Sequence, residues 1–261
     1  MCLSDLSPRK AAGLLLSFVL SCPLPALAGW VVTEGQGEDR SLTYIQNNRI
    51  KYEDSEQATI FDLERGTMTV LQPRTKRYWT GSPQDFTLQM KAAVDAQLES
   101  ELAGLPPEQR QALKEAAGIS EAPHAPPATP AGPALAVQVQ RTDQVDRVAG
   151  HAARKHQIWV EGRLVEEVWI AEDLDLAREL DPAKFANLLA QAKGDDLGDW
   201  EFDPQVRQLR AKGLELKSVR HGATGPEEAG VVQRVEQKDL PAHIFEVPAG
   251  YERASMADIV Q

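Results

Sequence analysis

Two β-strands joined by a reversal are predicted by the stretch from His156 to Ala171, which reads HQIWVEGRLVEEVWIA. Apolar and charged residues alternate on both sides of Glu161-Gly162-Arg163, and a glycine at the reversal is typical of a hairpin. With a three-residue loop, even positions pair with even positions, so one face is aliphatic and the other carries Trp159 and Trp169. A sheet with one face in water needs only one apolar phase. We therefore expect the second face to be covered or to line a cavity.

Short strands and turns continue this pattern over much of the chain. The region from Trp30 to Trp79 predicts an antiparallel meander, and strands resume at Leu135 and again at Leu214. Helical periodicity separates these blocks, so the order is strands, helices, strands, helices, strands. This order is not a βαβ alternation and disfavours a parallel sheet. We predict an α+β fold, in which one strongly curved antiparallel sheet has helices on one side.

The first helical block predicts an insertion from about residue 83 to residue 133. Ser82-Pro83 opens a helix that runs to about Ala103, and a weaker helix follows from Leu105 to Gly118. The first helix carries an apolar residue at every fourth position. These residues are Phe86, Met90, Val94, Leu98 and Leu102. The stretch 121–133 is rich in proline and predicts an extended linker.

The second helical block is predicted from Asp173 to Trp200. Asp181-Pro182 gives a cap and a proline in the first turn, and the buried stripe consists of Phe185, Leu188, Leu189 and Ala192. Asp203-Pro204 begins another short helix that runs to about Lys212.

The N-terminus has the pattern of a secretory signal. Arg9-Lys10 precedes an apolar stretch of about ten residues, and Ala26-Leu27-Ala28 forms an A-x-A cleavage site. We therefore predict a signal peptide over 1–28, a single exported domain over 29–261, and a periplasmic location. Cys22 offers an alternative, because the residues before it resemble a lipobox and would make the protein a lipid-anchored lipoprotein. No later segment approaches the ~18 apolar residues of a transmembrane helix.

Charge and motifs restrict the possible functions. The net charge of −11 disfavours a nucleic acid or an anionic membrane as partner, since both bind basic surfaces. The sequence has no nucleotide-binding glycine motif, no nucleophile elbow and no zinc-protease motif. Adjacent Glu166 and Glu167 would face opposite sides of a strand and cannot act as an acid–base pair. We predict no catalytic residue, no metal site and no cofactor.

The aromatic residues leave two interpretations open. They can fill the core or the rim of the sheet, or some of them can line an apolar pocket beneath the first helix. In the second interpretation, the candidate ligand-binding residues come from three strands and that helix. They are Trp79, Phe86, Met90, Trp159, Val165 and Trp169.

Several phrases of the sequence resemble a known family of exported bacterial proteins, the domain of unknown function 4412. They are Ile45–Tyr52, Ile60–Leu63, Val70–Tyr78, Val148–His156, Val168–Leu174 and Phe245–Tyr251. That family is similar in pattern to the LolA-like lipoprotein carriers. The resemblance implies a LolA-like half-barrel with helices packed across its concave side, around an apolar hollow suited to acyl chains. It implies no catalytic residue.

We therefore expect a periplasmic binding or carrier protein, without catalysis, that holds an apolar group such as a lipid acyl chain. The alternative is a structural or protein-interaction module of the cell envelope, whose partner docks on an acidic surface or on the proline-rich stretch. An enzyme is a third, less favoured class.

Overall fold

The computed structural model describes residues 29–104 apart from 36, 38 and 39, residues 106 and 109, and residues 135–191, 199–222 and 224–259. The predicted signal peptide, with Cys22 and Ala28, lies outside the described residues. The predicted second helix is outside them apart from residues 106 and 109, and so is the proline-rich stretch 121–133.

One sheet of twelve strands dominates the fold, in the order β12-β6-β5-β4-β3-β2-β1-β11-β10-β9-β8-β7. The strands are β1 (Gly29–Glu34), β2 (Ser41–Gln46), β3 (Arg49–Glu53), β4 (Ala58–Asp62), β5 (Thr67–Gln72), β6 (Arg77–Gly81), β7 (Val137–Val148), β8 (His151–Val160), β9 (Arg163–Ala171), β10 (Leu214–Gly222), β11 (Gly225–Lys238) and β12 (Glu252–Arg253). Neighbours are antiparallel except β12 and β6, which run parallel.

Two meanders build this sheet. Strands β1 to β6 pair in sequence order, and so do β7 to β11. The meanders join where β1 pairs with β11, with Val32 opposite Val235. This junction leaves β7 and β12 at opposite edges of the sheet.

The predicted α+β half-barrel is wrong. The sheet is not closed into a barrel, strands predominate, and the helices are a minor part of the described structure. The sequence pattern identified the strand blocks. It gave too much weight to helices, because the whole stretch 173–200 was counted as helical. Residues 174–181 instead form turns and irregular chain.

The helices are short apart from the first. They are α1 (Pro83–Leu102), α2 (Pro182–Gln191), α3 (Pro204–Arg210) and α4 (Met256–Ile259), with 3₁₀ turns η1 (Asp199–Phe202) and η2 (Ala242–Phe245). Proline opens each of the first three, where its missing N–H costs nothing. Before α1, the Ser82 hydroxyl accepts from the Asp85 N–H, and Asp85 accepts from the Ser82 N–H in return.

The buried face of α1 differs from the predicted stripe. Val94 is 52% exposed, whereas Ala93 is buried with Phe86 and Met90 packed nearby. Four residues of helix turn about 400°, so a strict four-residue repeat drifts around the helix by about 40° at each step. The face that packs on the sheet follows positions 86, 90 and 93, which is the i, i+4, i+7 pattern.

The hairpin of β8 and β9 has buried apolar residues on both faces, as its alternation predicted: Ile158 and Val168 lie on one face and Trp169 on the other. Val160 pairs with Arg163 across a two-residue turn, and Glu161 and Gly162 both have positive φ. A bulge next to the turn restores the pairing of even positions, with Ile158 opposite Glu166. The predicted register is therefore reached by a bulge and not by a three-residue loop.

Candidate functional site

A cavity of about 520 Å³ lies between the first meander and the helices α2 and α3. It is the best candidate for a functional site among the described residues, since its size falls within the usual range of small-molecule pockets. Its walls come from three parts of the chain: β2 and β3, the segment from 175 to 186, and the segment from 201 to 220. The lining residues are Thr43, Ile45, Ile50, Asp175, Leu176, Ala177, Leu180, Pro182, Phe185, Ala186, Glu201, Phe202, Arg207, Arg210, Ala211, Lys212, Gly213, Leu214, Glu215 and Arg220.

One wall of the cavity is apolar. Ile45 and Ile50 face each other across the β2–β3 hairpin and are buried. Leu176, Leu180 and Phe185 come from the segment that leads into α2 and from α2 itself, and all three are half-buried. The alternation of β2 and the amphipathic turn of α2 thus direct aliphatic and aromatic side chains into one space.

The segment that leads into α2, residues 175–181, is fixed to the β2–β3 turn. The buried carboxylate of Glu179 accepts from the Asn47 N–H at 3.0 Å. The Asn48 side-chain oxygen accepts from the Asp181 N–H at 2.7 Å, and the Asn48 N–H donates to the Glu179 carbonyl. Asn47 and Asn48 have φ values of 52° and 58°, which asparagine tolerates better than most residues. We call these contacts the asparagine latch.

The opposite wall is charged. Glu166 lies behind it on β9 with only 2% of its side chain exposed, and Arg210 donates to it at 2.9 Å. Arg220 lies 3.6 Å from the other Glu166 oxygen and 3.4 Å from Glu201. Arg210 also lies 3.5 Å from Glu215. Three carboxylates therefore share two guanidinium groups, and we call this group the arginine network.

Glu215 is a carboxylate of this network whose pKa is raised. Its side chain is 30% exposed, but it lines the cavity, and the protein atoms around it raise its pKa to about 7 by desolvation. Arg210 opposes this shift, whereas Glu166 and Glu34 add to it. Burial also raises the pKa of Glu34. A proton on Glu215 makes the charges of the network balance.

None of the six residues predicted to line a pocket lines this cavity. Trp79, Phe86 and Met90 pack together beneath α1, where the rings of Trp79 and Phe86 lie 5.8 Å apart at 61°. The Trp79 N–H donates to Gln89 at 3.0 Å. These three side chains fill the space under α1, which favours the interpretation as core.

The other three predicted residues lie on the second meander. Trp169 is buried, donates to Asp146 at 2.7 Å, and carries the ammonium groups of Lys155 and Lys217 over its ring, each 5.1 Å from the centroid. Val165 packs at the edge of the apolar cluster beneath α3. Trp159 is half-buried, and its N–H has no hydrogen-bond partner among the described residues.

Sequence reasoning missed the residues that do line the cavity. Phe185 was assigned to the apolar stripe of the helix that starts at Asp181-Pro182, and that helix is present as α2. Nothing in the local pattern shows that α2 stands apart from β2 and β3. That separation is a property of the tertiary arrangement.

Metal ligands do not cluster in the part of the chain that the structure describes: it holds no group of three or more histidine, cysteine or acidic side chains placed to bind an ion. Among the helices of that part, none combines the length and the apolar character needed to cross a membrane.

Residues 129–251 match the model of a family described as Domain of unknown function (DUF4412). The predicted resemblance to that family is confirmed over this segment. The segment contains α2, α3 and the charged wall of the cavity. The predicted similarity to LolA-like carriers is not supported by this match. No curated protein matches the sequence.

Two solved structures of PNGF-II, in the P21 and C2 space groups, resemble the chain weakly. Their TM-scores are 0.37 and 0.35, at 8% and 10% sequence identity. Each likeness covers 88% of this chain, which spans only 31% of the length of those chains. A likeness of this strength carries no argument about function.

Proposed function

We propose that the protein is an exported, non-catalytic binding protein that holds an apolar ligand in the cavity between β2–β3 and α2. The observation that carries this proposal is the cavity itself, with Ile45, Ile50, Leu176, Leu180 and Phe185 on one wall. A half-open space of about 520 Å³ falls within the size range of small-molecule pockets. The N-terminal signal pattern supports export.

The size of the cavity suits one long alkyl chain. A water-sized group occupies about 30 Å³, so 520 Å³ has room for roughly 17 such groups. This number of heavy atoms corresponds to a single acyl chain with a small head group. Burial of each methylene from water contributes about 0.8 kcal/mol, so even part of such a chain gives substantial affinity.

The charged groups of the cavity support binding in preference to catalysis. Arg210 and Arg220 are paired with Glu166, Glu201 and Glu215, so these side chains neutralise each other. A general base or a nucleophile would need to be aimed at a substrate position. Here the carboxylates are directed to guanidinium groups.

The proposal is tested by filling the cavity. Ala186 and Ala190 lie on the same helix, but only Ala186 lines the cavity, whereas Ala190 is exposed. We expect Ala186→Trp to abolish binding of 1-dodecanol, measured by titration calorimetry. The matched variant Ala190→Trp should bind as the wild type does.

Native mass spectrometry of protein exported by its host should also show a bound apolar molecule in the wild type and none in Ala186→Trp. Binding of 1-dodecanol that is equal in both variants would contradict the proposal. Absence of any binding to the wild type would favour the alternative, a structural or interaction module of the envelope.

A further inference from the structure

We propose that the ligand of this cavity is a single-chain amphiphile with an anionic head group, and that the head group binds to Arg207 and Lys212. This inference rests on the proposed function and specifies the ligand class. It follows from how the charges around the cavity are used. Both residues line the cavity, Arg207 from α3 and Lys212 from the turn between α3 and β10.

The arginine network leaves no net charge to attract a ligand. Its two guanidinium groups, Arg210 and Arg220, lie against the carboxylates of Glu166, Glu201 and Glu215. Burial favours the protonated form of Glu215, so two positive charges then face two negative charges. The charges of the arginine network therefore balance without a ligand.

Arg207 and Lys212 are different. Neither forms an ion pair with any residue that the structure describes, and both side chains are exposed at the cavity. The only other acidic residue of the lining is Asp175 on the opposite wall, and its carboxylate accepts from the Ala177 N–H at 2.9 Å. Glu172 shares a neighbouring surface pocket with Lys212 and Arg141, and it does not line the cavity. Within the lining, two cations against one carboxylate leave a surplus of positive charge.

This surplus is a local exception in an acidic protein. The whole chain carries a net charge of −11, so an anion approaching any average part of the surface is repelled. Charge-assisted hydrogen bonds from a guanidinium and an ammonium group to one anion are stronger than neutral ones. An anionic head group between Arg207 and Lys212, with its chain against Phe185 and Ile50, would use both walls of the cavity.

A chain-matched series of ligands tests this inference. We would titrate dodecane-1-sulfonate, 1-dodecanol and dodecyltrimethylammonium into the protein below their aggregation concentrations, by calorimetry at pH 6. The sulfonate is ionised at every accessible pH, so only the protein titrates. We expect the sulfonate to bind about tenfold more tightly than the alcohol, and the cation to bind most weakly.

Substitution of the two cations locates the head group. In R207Q/K212Q, affinity for the sulfonate should fall about tenfold towards that of the alcohol, a much larger loss than any change in affinity for the alcohol. The control variant is Arg163→Gln, an exposed cation at the β8–β9 turn that does not line the cavity. It should bind all three ligands as the wild type does.

Other results would contradict the head-group assignment, the choice of Arg207 and Lys212, or the proposed function. Equal affinity for sulfonate and alcohol, or tighter binding of the cation, would overturn the head-group assignment and leave the apolar cavity as the binding site. An equal loss of sulfonate affinity in Arg163→Gln would overturn the assignment to Arg207 and Lys212, because it would show a general charge effect. If none of the three ligands binds, the proposed function itself fails.

Discussion

Two neighbouring regions of the molecule illustrate how similar sequence patterns give a packed core in one place and a cavity in another. Beneath α1, Trp79 and Phe86 meet edge to face with Met90 beside them, and the space between helix and sheet is filled. Between α2 and β2–β3, Ile45 and Phe185 face a cavity of about 520 Å³. The first region contains a buried tryptophan, whereas the cavity lining contains no tryptophan and consists of Phe185 and Phe202 with aliphatic, alanine and charged side chains.

The difference shows that the buried tryptophan marks filled space here, whereas Phe185 lines a cavity. A tryptophan buries a large apolar area and also needs a partner for its N–H. Beneath α1, the ring of Trp79 is buried and its N–H donates to the side chain of Gln89. The cavity is lined without a tryptophan, and the asparagine latch fixes the segment that leads into α2 to the β2–β3 turn.

The largest expected effect is a loss of stability when the packed region beneath α1 loses its tryptophan. Trp79→Ala should lower the free energy of unfolding by roughly 3–5 kcal/mol, since the ring is buried and its removal leaves a cavity. Urea denaturation followed by circular dichroism measures this. Trp79→Phe should cost much less. A loss below 1 kcal/mol in Trp79→Ala would show that this region is not tightly packed.

The charged wall should give the protein a pH-dependent stability. Glu215 has a pKa raised from 4.5 to about 7, so the folded state keeps a proton that the unfolded state loses. Unfolding therefore releases a proton between pH 4.5 and 7, and stability falls as pH rises through this window. The change is about 1.4 kcal/mol per pH unit and roughly 3 kcal/mol in total.

Glu215→Gln should remove this dependence, because glutamine resembles the protonated acid. The variant should match the wild type near pH 4 and exceed its stability above pH 7, in urea titrations at several pH values. Glu227→Gln, an exposed site on β11, is the control and should keep the wild-type slope. An unchanged slope in Glu215→Gln would refute the assignment of this titration.

The asparagine latch should contribute less. Glu179→Ala removes the acceptor of the Asn47 N–H and should cost about 1–3 kcal/mol of stability. Since the latch positions Leu180 and Phe185, affinity for 1-dodecanol should also fall. Glu179→Gln retains an acceptor oxygen and should remain close to the wild type. Unchanged affinity in Glu179→Ala would show that the latch does not shape the cavity.

The smallest effect is expected for the ion pair between Lys184 and Glu64. The side chains lie 2.7 Å apart, but they are 41% and 56% exposed, and exposed pairs contribute little. Lys184→Ala should leave both the urea midpoint and the affinity for 1-dodecanol unchanged. A measurable loss of affinity for 1-dodecanol would show that this ion pair, like the asparagine latch, helps to position α2.

Much of the local structure could be predicted from the sequence. The alternation over residues 41–81 predicted the hairpins of β2 to β6, and Asp181-Pro182 and Asp203-Pro204 predicted the starts of α2 and α3. These signals act between residues close in sequence, where backbone preferences and side-chain periodicity decide the outcome. The pairing of β1 with β11 joins residues some 200 positions apart, and no local pattern encodes it.

The candidate site could not be predicted for the same reason. Ile45, Phe185 and Arg220 come together only through the sheet order and the position of α2. The sequence identified apolar residues correctly, but it could not distinguish a helix that rests on the sheet from one that stands off it. The predicted pocket lining was instead placed at Trp79, Phe86 and Met90 beneath α1, together with Trp159, Val165 and Trp169.

The most direct test of the account is a crystal structure of the protein with 12-bromo-1-dodecanol, in which anomalous scattering locates the bromine. We predict one bromine peak inside the cavity, between Ile50 on β3 and Phe185 on α2. A peak beneath α1 beside Trp79 and Phe86 would contradict the central claim, because it would place the binding site in the region that we describe as filled.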